Sequence, residues 1–463
     1  DKLAPTERKV FVALADRWEP GTAKEIADGQ HGKYDSLLIA HKGKLLFESY
    51  YSRGRINLPH GQASATKSYT GLVLGRAIQL GYLTMDDLNK PVISFLNDLD
   101  PSKFADDVKK VTLKQALTMT TGIRVSEENR EKMRNDPTKL IGQGEVQALF
   151  EYSDPITAET RMFSYSAGPQ LVMQVIDAVV PGTAKDFIKN EFLGKMGITQ
   201  YKWQTADSGL PKAGSRTSIT SRDMAKIGML AMNKGEWKGV QLIPEAFITQ
   251  AISRFSFSGD DDVYGGGKDV YNQGYGYFWW DADLKVGNKS YYSASAQGGG
   301  GQYIILVEEL DLMVVVTAHD NENTTLQIVA EKILPAFIQN STLTMSKKSE
   351  SEEEFPPLEG PYLGQKPPGL TAEAFAPGII SKEGWELEGV FAPGMKEFYF
   401  TLDRGEVISP TEKKFRSTIV GFRQENNIWQ KYIEFKRTGE ITFSPDGNRM
   451  HMAKSYKDRI GYG

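Results

Sequence analysis

Residues 64–81 read Ser64-Ala65-Thr66-Lys67-Ser68-Tyr69-Thr70-Gly71-Leu72-Val73-Leu74-Gly75-Arg76-Ala77-Ile78-Gln79-Leu80-Gly81, and this stretch decides the fold. Apolar residues recur at Val73, Ala77 and Leu80, with Leu74 and Ile78 beside them. That spacing predicts a buried helix from Ser64 to Leu80, ended by Gly81. A hydroxyl at 64 and an amine at 67 then face the same side of the helix start, within reach of each other. Serine is not ionised at neutral pH, so it needs a base. Lys67 can be that base only if burial or a neighbouring cation brings its pKa well below the free value of about 10.4. A helix start also aims positive dipole and free N–H groups at developing negative charge.

The spacing has a bland alternative: a capping serine followed by a solvated lysine. Ser64 is the one serine in the chain with lysine three positions on, yet chance supplies roughly one or two such pairs in a chain this long. The weight therefore falls on what surrounds the pair.

Upstream, Leu37-Leu38-Ile39 and Leu45-Leu46-Phe47 flank Lys42-Gly43-Lys44, which predicts a hairpin over Tyr34–Tyr51. Downstream, residues 83–290 mix helical segments (Leu113–Met119, Ser221–Asn233) with Gly and aromatic loops, as an inserted helical lobe would. Strand patterns return at Tyr303–Val307 and Leu312–Thr317, and a helical pattern follows over Thr325–Ile338. The N-terminal and C-terminal strands can thus share one antiparallel sheet. The predicted class is α+β: an antiparallel sheet flanked by helices, an inserted helical lobe, and a small all-β C-terminal region.

Residues 346–357, SKKSESEEEFPP, have almost nothing to bury and read as a charged linker. Beyond it, Phe391-Ala392-Pro393-Gly394 and Phe443-Ser444-Pro445-Asp446-Gly447 recur with the period of a propeller blade. The tail is about two blades long, fewer than the four or more of a closed propeller. A protein-binding surface, pairing with another chain and a decayed remnant are equal readings of it.

The chain has 463 residues, 40% hydrophobic and 25% charged, enough for a large core and a second domain. A net charge of -4 supplies no basic field for nucleic acid. No apolar run reaches the roughly 18 residues of a membrane span. The absence of cysteine excludes disulfides and thiolate chemistry. The sequence begins at Asp1 without Met, as after removal of a signal peptide or after trimming.

Several ordered segments closely resemble the serine β-lactamase-related family, which takes in class C β-lactamases, D-alanyl-D-alanine peptidases, esterases and 6-aminohexanoate-dimer hydrolases. They are Ser64-Ala65-Thr66-Lys67-Ser68, Leu88-Asn89-Lys90-Pro91-Val92, residues 111–122 (VTLKQALTMTTG), residues 214–225 (GSRTSITSRDMA), residues 235–239 (GEWKG) and Gly274-Tyr275-Gly276-Tyr277. The resemblance covers about residues 30–340. It implies a serine hydrolase domain, and with the boundary set by composition that domain spans 1–345, before the linker 346–357 and the β-rich region 358–463. It also implies a periplasmic or extracellular location, a small ester or amide substrate, and no cofactor.

By the same resemblance, Ser64 is the acylated nucleophile and Lys67 its partner. Tyr165, in Phe163-Ser164-Tyr165-Ser166-Ala167-Gly168, stands at the family's Tyr-x-Asn motif and inherits a proton-relay role, with nearby lysine charge expected to lower its pKa. Ala167 replaces the usual Asn and cannot hydrogen-bond a substrate amide. The strand that usually carries Lys-Thr-Gly or His-Thr-Gly reads Ala296-Gln297-Gly298-Gly299-Gly300-Gly301-Gln302, without a cation. This resembles the glycine-rich variant of esterase-like members. Gly299 first, or Gly298, is expected to add a backbone N–H to that of Ser64 in an oxyanion hole. Arg216 and Arg222 are candidate substitutes for the missing cation.

Competing chemistries lack support. There is no Gly-x-Ser-x-Gly elbow, and the five histidines show no metal spacing. His60 and His319 read as structural residues near the pocket, and Gly265-Gly266-Gly267 as a loop. An esterase or amidase is the leading reading, and three others stay open: a β-lactamase or D-alanyl-D-alanine carboxypeptidase, a non-catalytic peptidoglycan-sensing module that keeps the fold, and a chain whose tail carries the function as a protein-binding surface.

Overall fold

A computed structural model of the protein describes residues 32–259 and 263–338, then separate stretches between 358 and 462. The chain divides into two compact units, one spanning Glu25–Ile338 and the other containing Gln339–Gly463. The charged linker 346–357 lies outside the described residues.

The hairpin is present as β1 (Tyr34–His41) and β2 (Lys44–Tyr50), turned through Lys42 and Gly43 at φ 49° and 73°. Positive φ at both turn positions matches the twist of the strands it joins. Two short strands, β3 (His60–Gly61) and β4 (Thr217–Ile219), pair with each other beside the site. The main sheet continues with β5 (Ser256–Gly259), β6 (Val270–Tyr275), β7 (Trp280–Val286), β8 (Lys289–Gly298), β9 (Gln302–Val307) and β10 (Leu312–Ala318). Its order is β2-β1-β10-β9-β8-β7-β6-β5, antiparallel throughout, so the first and last strands are neighbours as expected.

The inserted lobe is shorter than the sequence led us to expect. Strands of the main sheet resume at Ser256, not at Tyr303, because the Gly and aromatic run belongs to that sheet. Tyr275, Tyr277, Phe278 and Trp279 are all buried. Tyr275 closes β6, and Tyr277, Phe278 and Trp279 form its buried connection to β7, while Asn272, Asp281 and Asp283 interrupt any apolar alternation in the strands themselves. Gly276 lets the chain cross the preceding helix end, where a Cβ would stand 2.2 Å from Ala251 O.

The central helix α1 (Thr66–Gln79) is buried nearly all round, and Gly81 follows it at φ 81°. Its polar side chains are satisfied inside: Ser68 donates to Phe278 O (2.6 Å), Thr70 to Ala213 O (2.8 Å), and Arg76 to Glu191 and Leu242. Buried polar groups so paired cost little. Short α2 (Leu113–Leu117) opens on a capping box between Thr112 and Gln115. Helix α3 (Gly168–Val179) packs on α1, and α4 (Ser221–Met232) packs on β9 and β10.

In the second unit, Leu358–Glu359, Ile428–Lys436, Ser417–Glu425, Glu397–Asp403 and Trp385–Phe391 form a five-stranded sheet in that order; Ile441–Phe443, Met450–Tyr456 and Arg459–Tyr462 form another of three. Both copies of the repeated motif sit at hairpin turns, closed by Ala392 N–H to Glu397 O and Ser444 N–H to Arg449 O, each 2.9 Å. Among the described residues, the strands of this unit thus form one sheet of five and one of three.

Candidate active site

Pairing of β3 with β4 delivers the chain into a tight turn, Ala63–Ala65, from which α1 grows. Ala63 takes φ 44°, a left-handed conformation that a residue with a Cβ adopts only under constraint. The next residue, Ser64, has its Oγ 2.9 Å from Lys67 Nζ. The same ammonium donates to Gly214 O at 2.9 Å and lies 4.4 Å from the centroid of the Tyr165 ring. Only 9% of Lys67 is exposed, and both of these hydrogen bonds end on neutral oxygens. Burial accordingly lowers its pKa from 10.5 to about 8. A neutral Lys67 can accept the Ser64 proton across the same contact.

Tyr165 precedes α3. The residue is 42% exposed, but its hydroxyl end turns inward toward Ser64 and Trp280. Burial raises its pKa, and hydrogen bonding to Ser64 and Trp280 only opposes that rise. This corrects the expectation that lysine charge brings the phenol down. Lys67 meets the face of the ring, and the phenol stays protonated, poised as a donor. Trp280 stacks on Tyr165 (centroids 5.4 Å, planes 28° apart), while Tyr275 meets it edge-on and Phe163 packs against both Tyr275 and Trp280. Sequence reasoning missed Trp280; its one signal was its place just after Gly274-Tyr275-Gly276-Tyr277.

The glycine run closes the other side. Strand β8 ends at Gly298, where a Cβ would stand 2.2 Å from Gln62 O and 3.2 Å from Ala65 N. The strand therefore touches the Ser64 turn directly. Gly300 and Gly301, at φ 85° and 86°, direct their N–H groups to Asn321 Oδ1 (2.6 Å) and to the Tyr264 hydroxyl (3.0 Å). Gly299 is exposed, and among the described residues no protein group takes its N–H.

Of the two candidate cations, Arg222 is engaged elsewhere: it clasps Glu48 on β2 through two hydrogen bonds of 2.7 and 2.6 Å. Arg216 is exposed at φ 67°, two residues past the carbonyl that holds Lys67. His60 and His319 both bind the buried carboxylate of Asp35, at 2.7 and 3.0 Å. Gly265 and Gly267 form a loop that braces Leu326, Gln327 and Val270 through backbone bonds. Among the described residues, no group of three His, Asp or Glu side chains is arranged to hold a metal, and no helix is long and apolar enough to cross a membrane.

An antiparallel sheet with a buried helix that opens on a Ser-x-x-Lys pair, faced by a tyrosine and a glycine-lined strand, defines a hydrolase of the serine class. A family model described as Beta-lactamase matches residues 14–335, and the chain belongs to that family. Among solved structures it is similar to an octameric penicillin-binding protein homologue from Pyrococcus abyssi (14% identity, 97% of this chain and 95% of that one, TM-score 0.52). It is similar also to EstCE1, a hydrolase with promiscuous acyltransferase activity (14%, 72% and 100%, 0.53), and to a penicillin-binding protein homologue from Caulobacter crescentus (15%, 73% and 99%, 0.50). No curated protein matches the chain.

Proposed function

We propose that the protein hydrolyses short-chain esters or uncharged amides through an acyl-enzyme on Ser64, in preference to β-lactams. Lys67 takes the Ser64 proton as Oγ bonds to the substrate carbonyl carbon. Tyr165 passes a proton to the leaving group as the carbonyl–leaving-group bond breaks, and water then cleaves the acyl-serine by the reverse relay. The N–H groups of Ser64 and Gly299 hold the oxyanion. The observation that carries the reading is the 2.9 Å contact between Ser64 and an amine whose pKa is near 8.

Preference for uncharged substrates follows from residues 296–302, which lack a cation, and from Ala167, which lacks an amide. A charge-assisted bond to a substrate carboxylate is worth about 1.5–3 kcal/mol, or roughly one to two decades in affinity. The reading includes a hydrolase domain over 1–345, the linker 346–357, a β-rich tail of partial propeller-repeat type over 358–463 for which a protein partner, pairing with another chain and a decayed remnant are equal readings, and work outside the cytoplasm. Fluorophosphonate labelling with peptide mapping tests the nucleophile, and a label on another serine refutes it. p-Nitrophenyl acetate or butyrate, compared with a chromogenic cephalosporin, tests the substrate class; higher kcat/KM on the cephalosporin defeats the esterase reading.

A further inference from the structure

We propose that Asp35 is a positioning residue for the oxyanion hole, joining the two chain segments that carry its N–H donors. The inference rests on the reading of Ser64 as the acylated nucleophile. The two donors belong to segments far apart in sequence, Ser64 following β3 and Gly299 following β8. An oxyanion hole works only while its donors keep a fixed separation.

Asp35 sits at an irregularity in β1. Tyr34 pairs with Ala318 and Ser36 with Thr317, so Asp35 is the extra residue of a bulge against β10. A bulge re-aims a side chain at the expense of one ladder position. Here the carboxylate is fully buried, and it ends on both segments. Oδ2 lies 2.7 Å from His60 Nε2, four residues before the nucleophile. His319 Nδ1 lies 3.0 Å from Oδ1 and 3.1 Å from Oδ2.

His319 is itself bound into the glycine turn. The next residue, Asp320, donates its N–H to Gly300 O (3.1 Å), and the preceding Ala318 O accepts from Gln302 Nε2 (2.6 Å). The remaining partner is Arg53, whose N–H donates to Oδ1 at 3.0 Å and whose guanidinium stands 3.8 Å from Oδ2. Gly54 allows that loop its approach, since a Cβ there would stand 1.7 Å from Asp35 O. A buried carboxyl group with this many partners holds its neighbours in one geometry, because losing any of them leaves a buried oxygen short of a hydrogen-bond partner.

The test uses the full chain and measures p-nitrophenyl acetate turnover per site titrated with a fluorophosphonate. Asp35→Asn should lower kcat about ten- to hundredfold with KM within about threefold of wild type, the cost of a misplaced donor. His60→Gln and His319→Gln should each lose less, and adding either to Asp35→Asn should lose no more. A merely structural role lowers Tm and the number of titratable sites but leaves kcat per site alone. Asp35→Asn with kcat per site within about twofold of wild type overturns the inference. Should that variant fail to fold, the His60→Gln/His319→Gln double variant decides by the same criterion. Absence of the label from wild-type Ser64 overturns the site reading itself, a separate outcome.

Discussion

The Ser64 turn and the glycine turn meet at Gly298, and in the proposed reaction they work by opposite means. Residues 63–67 place chemistry in side chains: a hydroxyl and an amine set 2.9 Å apart by helical spacing, behind a residue held at φ 44°. Residues 298–302 contribute by what is missing. At Gly298 the absent side chain lets two backbones touch, and at Gly299 an exposed N–H is left over. A side-chain device is sensitive to which atoms are present, whereas a backbone device is sensitive to volume.

Four substitutions sharpen that contrast. Lys67→Arg keeps the charge but cannot deprotonate, and is expected to lower kcat/KM by about a thousandfold or more. The wild-type pH profile belongs to the same test. The neutral amine is the active form and its fraction grows with pH, so kcat/KM should rise about tenfold per unit up to about 8 and then level off. A flat profile between pH 6 and 9 breaks the assignment of Lys67 as base.

Tyr165→Phe keeps the stack on Trp280 and the face presented to Lys67 but deletes the donor, for a loss of roughly a hundredfold. A loss under about threefold would make Tyr165 a packing residue. The smallest effects belong to the glycines. Gly298→Ala pushes a methyl to 2.2 Å from Gln62 O and should cost about 1–3 kcal/mol of stability, read as Tm. Gly299→Ala keeps the N–H and meets only Asn321 Oδ1 at 3.7 Å, so activity and Tm should stay within about twofold and a few degrees. Equal damage at both positions would mean that volume is not what this turn protects.

What could be read from the sequence alone was local. The Ser64–Lys67 spacing, the hairpin at Lys42-Gly43 and the helix end at Gly81 depend on residues within one turn of each other, and backbone geometry dictates them without help. The strands over 270–286 escaped because Asn272, Gly274, Asp281 and Asp283 interrupt their apolar pattern, Asp281 being buried against Arg254. Only the tertiary structure decided the electrostatics. Lys67 is driven toward neutrality by burial beside Gly214 and Tyr165, about a hundred or more positions away, and burial moved Tyr165 opposite to the direction that a neighbouring charge suggested. The meeting of Asp35 with His60 and His319 spans 25 and 284 positions and hangs on one bulge in β1. Spacing along a chain sets which atoms are near when the path between them is short, while desolvation depends on everything packed around a group, and that exists only once the sheet has closed on the helix.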